Sequence, residues 1–451
     1  MIVPRCTPSN AAAPRGSAGR DHRQRARGRR VTDLFTPRLL QVTDGIDRDR
    51  TASSAGSGEG VARPPDRHAV GGDPEPMNAT VIHDGTVHPG GAVDVVLETA
   101  RVLDADLVVG FSGKDMSWWT DRAPNDVRIL TYREKTSTVR DAVSAWRWLN
   151  LDLQEYDLVV SSGPSTKFYQ PYDDQRIVHY MHHPPLSSLW FDGGLFSYAV
   201  KVLDRLETWA VPTVVANSEL TARRMVAHYD REPDAVVTPP VMVDRFSPDR
   251  EKRPNEVVMV GRLEERKRPE VAVRAFERLS SGTEGDGPHL RLLGDGPLRS
   301  KIERTAPENV TVEGYVSDET LVEAVERASA GVFLANREDF GITPVEYLAA
   351  GTPVVAVDEP NTNNQVTDGE TGVLVDPTPE AVADGVERTL GQEWDRDRLR
   401  TSAESYGPAA FERGIREVIE DMTHGTSDRS ERAARDGSTM SEPPGHGGDA
   451  P

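Results

Sequence analysis

Short apolar runs alternate with segments of helical periodicity along most of the chain. The first run, residues 79–83, is followed by a Gly90-Gly91 turn and then by apolar residues spaced as on one face of a helix. These helix positions are Val93, Val96, Leu97, Ala100 and Leu103. A second apolar run, residues 105–110, follows at once. This order predicts a βαβ unit, whose two strands pair in parallel.

Further apolar runs have the length and composition of buried strands. They cover residues 158–160, 177–180, 213–216, 257–260, 290–293, 310–312, 331–334 and 354–357, with helical patterns between most of them. Because these runs are apolar throughout rather than alternating, helices should cover both faces of each sheet. The sequence therefore predicts an α/β protein built on doubly wound parallel sheets.

A polar segment with two prolines, residues 246–255, interrupts the pattern. We place a domain boundary there, between a first domain over residues 77–247 and a second over residues 256–405. Doubly wound domains bind ligands at the carboxyl ends of their strands. Two such domains would therefore carry their sites facing each other across a cleft.

The two ends of the chain lack this pattern. Residues 1–76 carry 13 arginines, no lysine and nine acidic residues, and have too little apolar surface to fold, so we predict a disordered leader. Three interpretations fit it: residues upstream of a true start at Met77, a transit peptide, or a basic arm for nucleic acid. We favour the start at Met77 because the first strand follows at once. Residues 423–451 are predicted to form a disordered tail.

The balance of acidic and basic residues limits which classes of protein fit this sequence. The 451 residues include 73 acidic and 53 basic ones, for a net charge of −20, which argues against a nucleic-acid binder because phosphate contacts need surplus cations. Only seven of the basic residues are lysines. This acidic, lysine-poor composition suggests a halophilic protein suited to high internal salt, a hypothesis that unfolding at different KCl concentrations would test.

Cysteine content and hydropathy exclude other classes. Cys6 is the sole cysteine, so neither an intramolecular disulfide nor a cysteine-based zinc cluster can form. No run of 18 apolar residues occurs, so no transmembrane helix is expected. We expect a cytoplasmic protein.

The densest group of polar and glycine residues lies between two predicted strands, at residues 336–353. Thr343 is a candidate N-cap, Pro344 suits the first helical position, Glu346 falls at the capping-box position, and Gly351 can end the helix in a left-handed conformation. A helix beginning here would point its free N–H groups into the cleft, where they favour an anion such as a diphosphate. The alternative is that Glu346 only completes the capping box.

Glu338 and Glu346, which flank Phe340-Gly341, resemble the paired-glutamate signature of retaining glycosyltransferases of family 4, the glycosyltransferase group 1, which have the GT-B fold of two Rossmann-like domains. Other segments resemble that family's motifs in the same order along residues 79–420. They are Gly90-Gly91, the histidine loop 180–184, Ala216-Asn217-Ser218, the segment 261–267 and the glycine turn 294–297. The segments 338–351 and 224–246 look closest to mannosyltransferase-like members.

The resemblance implies a donor site in the second domain. Arg262 and Lys267 would stabilise the charge of a departing nucleoside diphosphate electrostatically, so no metal and no other cofactor would be required. Glu346 would bind the ribose hydroxyls, and Glu338 would lie near the hydroxyls of the donor sugar. Backbone N–H groups would reach sugar or phosphate at Phe340, Gly341 and Ile342. The alternative for Arg262 and Lys267 is a solvated run of charge.

The resemblance also assigns residues of the first domain. His182 matches the histidine of the family pattern and would lie beside the reaction centre, although His183 is a rival and a lone histidine after a strand is often a core group. Gly91 would contact phosphate, although a tight turn alone needs glycine. Ser218 is first of all a candidate N-cap. Residues 406–422 would form a helix that crosses back onto the first domain.

The function implied is transfer of mannose or another hexose, with retention, from a nucleotide diphosphate sugar to a glycan or lipid-linked acceptor. A lipid-linked acceptor would bring peripheral contact with the inner membrane face, and no nucleic acid is expected as a partner. Two departures from the family pattern, at Val93 and at residues 359–365, leave the sugar open. The alternative is a non-catalytic nucleotide-sugar-binding protein of the same fold. A dinucleotide oxidoreductase fits less well because no G-x-G-x-x-G follows a strand.

Overall fold

A computed structural model describes residues 77–86, 90–131, 146–184, 195–280 and 287–437. The predictions made for residues 1–76 and for residues 438–451 lie outside these ranges. The described residues contain two parallel sheets, one in each of two successive domains. This confirms the predicted α/β class with two doubly wound, Rossmann-like domains.

The first domain is built on a seven-stranded sheet. Its strands are β1 (Ala79–Thr86), β2 (Asp106–Ser112), β3 (Val127–Ile129), β4 (Leu158–Ser162), β5 (Arg176–Met181), β6 (Thr213–Ala216) and β7 (Ala235–Val236). They lie in the order β3-β2-β1-β4-β5-β6-β7, and every neighbouring pair is parallel. The order reverses between β1 and β4, so the crevice for a ligand opens at the carboxyl ends of these two strands.

The second domain repeats this plan with six strands. They are β8 (Arg253–Val260), β9 (His289–Leu293), β10 (Val310–Gly314), β11 (Ala328–Phe333), β12 (Val354–Val357) and β13 (Gly372–Val375). Their order is β10-β9-β8-β11-β12-β13, again all parallel, with the reversal between β8 and β11. Val257 and Val258 are both fully buried but belong to different core clusters, because successive side chains of a strand face opposite sides of the sheet.

Helices cover both faces of the two sheets. Those of the first domain are Gly91–Leu103, Met116–Thr120, Leu195–Ala210 and Glu219–Tyr229. Those of the second are Pro269–Ser280, Arg299–Thr305, Asp318–Arg327, Ile342–Ala349, Thr362–Gln365, Pro379–Leu390 and Arg396–Glu404. Short 3-10 turns occur at Thr166–Phe168, Val243–Arg245 and Glu265–Lys267.

Several helices begin at a side-chain cap that satisfies an otherwise unpaired backbone N–H. The hydroxyl of Ser218 accepts from the backbone N–H of Thr221, which confirms the predicted N-cap. Thr378 does the same for Ala381 ahead of a proline at the helix start. These boundaries are therefore set by local sequence.

The last helix, Pro408–Gly437, returns to the first domain. Its Phe411 and Ile415 are buried in the same core cluster as Val81 of β1, and Arg416 donates to the backbone carbonyl of Val102 at 3.0 Å. We predicted a tail without regular structure from residue 423, but the helix continues to Gly437. That segment, residues 423–437, has three Arg, two Ser and two Asp but only two alanines as apolar residues, so it shows no apolar helical period.

The connection between the domains packs with the second one. Val241, Val243 and Phe246, which the sequence pattern placed at the end of the first domain, are buried in a core cluster of the second. The change in composition at residues 246–255 therefore lies a few residues after the structural transition. No helix among the described residues is both long and apolar enough to cross a membrane.

Candidate functional site

The loop after β11 leads into the helix Ile342–Ala349 through a glycine in an unusual conformation. Gly341 is the N-cap residue, with φ of +77°, and no side chain caps this end of the helix. The prediction that Thr343 caps the helix is therefore wrong, since Thr343 already lies in its first turn. Gly351 does adopt a left-handed conformation after the helix, with φ of +62°, as predicted. The uncapped N–H groups at the helix start are the kind of group that binds an anion.

Glycine is required at Gly341 for two reasons. Its positive φ is strained for any residue with a side chain. A Cβ there would also lie 3.0 Å from the ring of Phe333 and 3.2 Å from Cγ of Glu338. The chain thus passes close to Glu338, and the two sequence motifs Glu338 and Phe340-Gly341 form one surface.

Glu338 forms ion pairs at the edge of the cleft. One of its carboxylate oxygens lies 2.8 Å from Nζ of Lys267 and 3.0 Å from the guanidinium of Arg266. Arg262 is held less firmly, because its guanidinium is 72% exposed and a carboxylate oxygen of Glu264 lies 3.6 Å away. Lys267 is therefore fixed beside the predicted sugar site, whereas Arg262 can turn toward a phosphate.

The pKa of Glu346 is set by burial and by charged side chains of both domains. Burial raises the pKa of Glu346 to about 7, Arg245 acts in the opposite direction, and the carboxylates of Asp94 and Asp318 raise the pKa further. Asp94 lies in the first helix of the first domain. At neutral pH the carboxyl group is therefore divided between its neutral and ionised forms, and donors on a ligand would favour the ionised form.

Two side-chain amides hold the carbonyl groups of the loop before this helix. Asn361 donates to the carbonyls of Asp339 and Phe340, and Gln365 donates to the carbonyls of Phe340 and Gly341 at 3.0 and 3.1 Å. Since the carbonyls are engaged, the N–H groups of the loop are the ones left to face a ligand. Asn361 and Gln365 belong to the segment 359–365 that departs from the family pattern.

Three glycines bring the backbone of two neighbouring strand ends together in the second domain. A Cβ at Gly294 would lie 2.0 Å from the carbonyl oxygen of Gly261, and one at Gly296 would lie 2.5 Å from that of Leu263. Gly261 and Gly294 also have φ of +147° and +140°. These glycines place the segment that carries Arg262 close against the turn after β9.

His182 follows β5 and is anchored by a hydrogen bond to the strand beside it. Its Nε2 lies 2.8 Å from the hydroxyl of Ser162, at the end of β4. Burial lowers the pKa of His182 to about 3, and the neighbouring His83 and His183 act in the same direction. His183, the rival residue, is exposed. At neutral pH His182 is an uncharged imidazole, suited to hydrogen bonding rather than to donating a proton as an acid.

His83 supports this arrangement from β1. Its Nδ1 lies 2.8 Å from the carbonyl oxygen of Ser162, and since a carbonyl only accepts, this nitrogen carries the hydrogen. Burial lowers the pKa of His83 to about 4. A cavity of about 170 Å³ opens here, and its lining includes His83, Gly163, Lys167, His182 and His183.

Gly91 lies against the second domain. A Cβ on Gly91 would lie 3.9 Å from Cγ2 of Ile342, so the glycine turn of the first domain faces the start of the helix Ile342–Ala349. The structure thus brings Gly91 and Ile342 together, as it does Lys267 and Glu338. His182 is bonded to residues of its own domain, and its catalytic role stays a prediction.

Sequence reasoning missed four residues that organise the site: Ser162, Asn361, Gln365 and Asp339. Each acts through a partner at least 20 positions away in the chain. The one signal in the sequence is the polar run at residues 359–365, which departs from the family pattern and contains Asn361 and Gln365.

Comparisons with known proteins bear on the family and the fold. Residues 242–407 match the family described as glycosyl transferases group 1. The D-inositol 3-phosphate glycosyltransferase of Nocardia farcinica is 34% identical over 211 residues, which are 42% of this chain and 46% of that relative. The alpha-D-kanosaminyltransferase of Streptomyces kanamyceticus is 32% identical over 154 residues, which are 33% of this chain and 39% of the relative. The chain spans half or less of the length of these curated relatives.

Solved structures share the fold over a longer stretch. The lipopolysaccharide outer core galactosyltransferase WaaB in its apo form covers 77% of this chain and 100% of its own, with a TM-score of 0.55 and 18% identity. Anabaena HepE in complex with UDP-glucose covers 76% of this chain and 99% of its own, with a TM-score of 0.59 and 16% identity. At such identities the likeness concerns the fold, and it confirms the GT-B arrangement of two facing domains.

Proposed function

We propose that this chain transfers a sugar from a nucleotide diphosphate donor to an acceptor bound by the first domain. The premise is that the chain is a group 1 glycosyltransferase with the GT-B fold. The sugar is mannose or another hexose, and transfer retains the anomeric configuration. The observation that carries this proposal is the group formed by Glu338, Lys267 and the uncapped start of the helix Ile342–Ala349. It presents hydrogen-bond acceptors for a sugar beside donors for a diphosphate.

The donor is assigned to the second domain. Glu346 would accept hydrogen bonds from the ribose hydroxyls, and the N–H groups after Phe340 would meet sugar or phosphate oxygens. Relatives named as glycosyltransferases support a sugar nucleotide, and HepE, which has the same fold, was crystallised with UDP-glucose. Because Gly91 faces Ile342, the glycine turn of the first domain would approach the diphosphate in this proposal.

The chemistry assigned to these residues is mainly electrostatic. As the bond between the anomeric carbon and the phosphate oxygen breaks, negative charge collects on the diphosphate, where Lys267, Arg262 and the helix start would stabilise it. In this proposal no metal and no other cofactor has a role. The acceptor hydroxyl attacks the same face of the sugar, and its proton passes to the departing phosphate oxygen. No carboxylate then needs to act as nucleophile, in contrast to retaining glycoside hydrolases.

His182 has a role consistent with its low pKa. A neutral imidazole held by Ser162 would hydrogen-bond a sugar hydroxyl near the reaction centre without changing its charge between pH 5 and pH 9. The cavity beside it, at the carboxyl ends of β1, β4 and β5, would admit the acceptor hydroxyl.

The acceptor is a glycan or a lipid-linked sugar. Of the aromatic residues in the loops after β2 and β4, Trp119 and Tyr169 are buried in the core. Tyr172 is 38% exposed, but it donates to Asp152 ahead of β4, at the edge of the sheet opposite the cleft, so it is not placed to stack on the acceptor. A lipid-linked acceptor would bring the protein to a membrane surface, and we assign it a cytoplasmic location.

The test is thermal unfolding of the full chain in high KCl with GDP-mannose, UDP-glucose, UDP-N-acetylglucosamine and the nucleoside diphosphates. A ligand at about 100 times its dissociation constant should stabilise the protein by about 2.7 kcal/mol. We expect one donor to do so, and expect Glu346→Ala to lose the effect while the surface control Glu303→Ala keeps it. A folded protein that no sugar nucleotide stabilises would contradict the proposal. A donor that binds but never releases nucleoside diphosphate would favour the non-catalytic alternative.

A further inference from the structure

The first domain touches the loop that carries Glu338 at two points. The hydroxyl of Ser218, at the start of the helix Glu219–Tyr229, lies 2.5 Å from the carbonyl oxygen of Asp339 and donates to it. From the same helix, the guanidinium of Arg224 pairs with the carboxylate of Asp339 and donates to the carbonyl of Arg337 at 3.2 Å. These contacts join residues 113 to 121 positions apart and cross from one domain to the other.

The same loop is held from the opposite side by its own domain. Asn361 donates to the carbonyl of Asp339 that also accepts from Ser218, and Lys267 pairs with Glu338. Residues 337–339, which include Glu338, are therefore held by groups of both domains.

We propose that Arg224 and Ser218 are positioning residues, which place the loop of Glu338 and Asp339 for sugar transfer as the two domains meet. This inference rests on the proposed function. In it, Arg224 and Ser218 link the contact between the two domains to the geometry of the donor site. Neither residue touches the donor in this proposal. They act through the backbone of residues 337–339, which leads directly into Phe340 and Gly341.

The two contacts would align the groups that react. A displacement of about 1 Å at a reacting group lowers the rate about a hundredfold. Contacts that fix a loop from both sides can therefore raise the rate by more than their bond energies alone would predict. The Arg224 and Asp339 side chains are only 23% and 24% exposed, so water screens their attraction less than that of a surface pair. A planar guanidinium can hold a carboxylate and a backbone carbonyl together, which a lysine ammonium does less well.

The alternative is that the pair merely adds stability to the protein. Arg291 provides a matched control, because its side chain is 16% exposed and pairs with Glu256 and Glu313 inside the second domain. Arg291→Gln therefore removes a comparably buried ion pair away from the cleft.

The experiment compares Arg224→Gln, Asp339→Asn, their double variant, Arg224→Lys and Arg291→Gln in the full chain. The assay is release of nucleoside diphosphate from whichever of UDP-glucose, GDP-mannose or UDP-N-acetylglucosamine the wild type uses fastest. We expect each cleft substitution to lower kcat about tenfold, with less than a threefold change in the donor KM. The double variant should also lose about tenfold, since both substitutions break one contact. Arg224→Lys should recover part of the rate, and Arg291→Gln should keep wild-type rates.

Three results would overturn the positioning role. They are a double variant about a hundredfold slower than wild type, a donor KM that rises while kcat is unchanged, or an equal loss of rate in Arg291→Gln. Small-angle X-ray scattering of the same proteins separates this inference from the proposed function. If the wild type releases no nucleoside diphosphate, the proposed function fails. A larger radius of gyration in Arg224→Gln than in Arg291→Gln would still support the contact between domains, and equal radii would refute it.

Discussion

Glu346→Gln should make the protein more stable at alkaline pH while weakening its binding of the donor. The pKa of Glu346 is raised from 4.5 to about 7, chiefly because the carboxyl is buried. The native protein therefore holds this proton more tightly than the unfolded chain does. The resulting stabilisation is complete below pH 4.5 and is lost as the pH rises to 7. Glutamine has the shape of the neutral acid and never acquires the buried charge.

The size of the effect follows from the shift in pKa. Each tenfold difference in proton affinity is worth about 1.4 kcal/mol, so a change from 4.5 to about 7 corresponds to about 3 kcal/mol. The side chain is partly exposed, and screening by solvent reduces the expected gain of the glutamine variant at pH 8 to about 2 kcal/mol. For a domain of roughly 150–250 residues this corresponds to a rise in Tm of about 4–8 °C.

The assay is thermal unfolding of wild type, Glu346→Gln and the surface control Glu303→Gln between pH 4.5 and pH 8, with and without the sugar nucleotide. The difference in Tm between Glu346→Gln and wild type should be near zero at pH 4.5 and reach its full value by pH 8. Loss of the anionic acceptor should weaken donor binding about 10- to 100-fold, as expected for a hydrogen bond to a charged group. A difference in Tm that does not change with pH would refute the reasoning, as would a variant less stable than wild type at pH 8.

Three further predictions concern the rest of the site. The pKa of His182 is lowered to about 3, so the unfolded chain binds a proton at this histidine more readily than the native protein does. Acidification from pH 6.5 to pH 4 should therefore reduce the difference by which the Tm of wild type exceeds that of His182→Gln. A difference that grows would contradict a buried neutral imidazole. Gly294→Ala should destabilise the protein more than Gly261→Ala, because both positions have positive φ but only a Cβ at Gly294 meets backbone, at 2.0 Å; equal losses of Tm would show that strain alone decides. Lys267→Met should lower kcat about a hundredfold if Lys267 stabilises the departing diphosphate, and a rise in the donor KM alone would assign it to ground-state binding.

Much of the fold could be predicted because its signals are local. Strands that are buried on both faces are apolar throughout, and the predicted strand at residues 354–357 coincides with β12. The strands that the sequence pattern does not predict are β3, β7 and β13, at Val127–Ile129, Ala235–Val236 and Gly372–Val375. Two or three residues, as in β7 and β3, are too few to show a period, and pairing with a longer neighbour defines them. β13 has four residues, as β12 does, but it begins with a glycine, a residue that weakens a strand pattern.

Helix boundaries also divide into those that local sequence predicts and those that tertiary contacts decide. Ser218 caps its helix as its sequence indicates, because the bond it accepts comes from three positions on. The start of the helix Ile342–Ala349 was placed at the wrong residue, since the capping-box pattern of Thr343 and Glu346 competed with constraints from elsewhere. Gly341 fixes the start instead, because its carbonyl is held by Gln365 and a side chain there would crowd Phe333 and Glu338.

By itself, the sequence determined the α/β class, the two domains, the glycines at the strand ends and the types of charged residue available to a donor site. These properties depend on composition and on periods of a few residues, and both can be read from a single segment of the chain. Only the tertiary structure decided how those residues are used. It paired Glu338 with Lys267, gave His182 and Glu346 their shifted pKa values, and joined Arg224 to Asp339 across the cleft. Burial and charge at a point in space depend on side chains that are distant in the chain, and no local pattern records them.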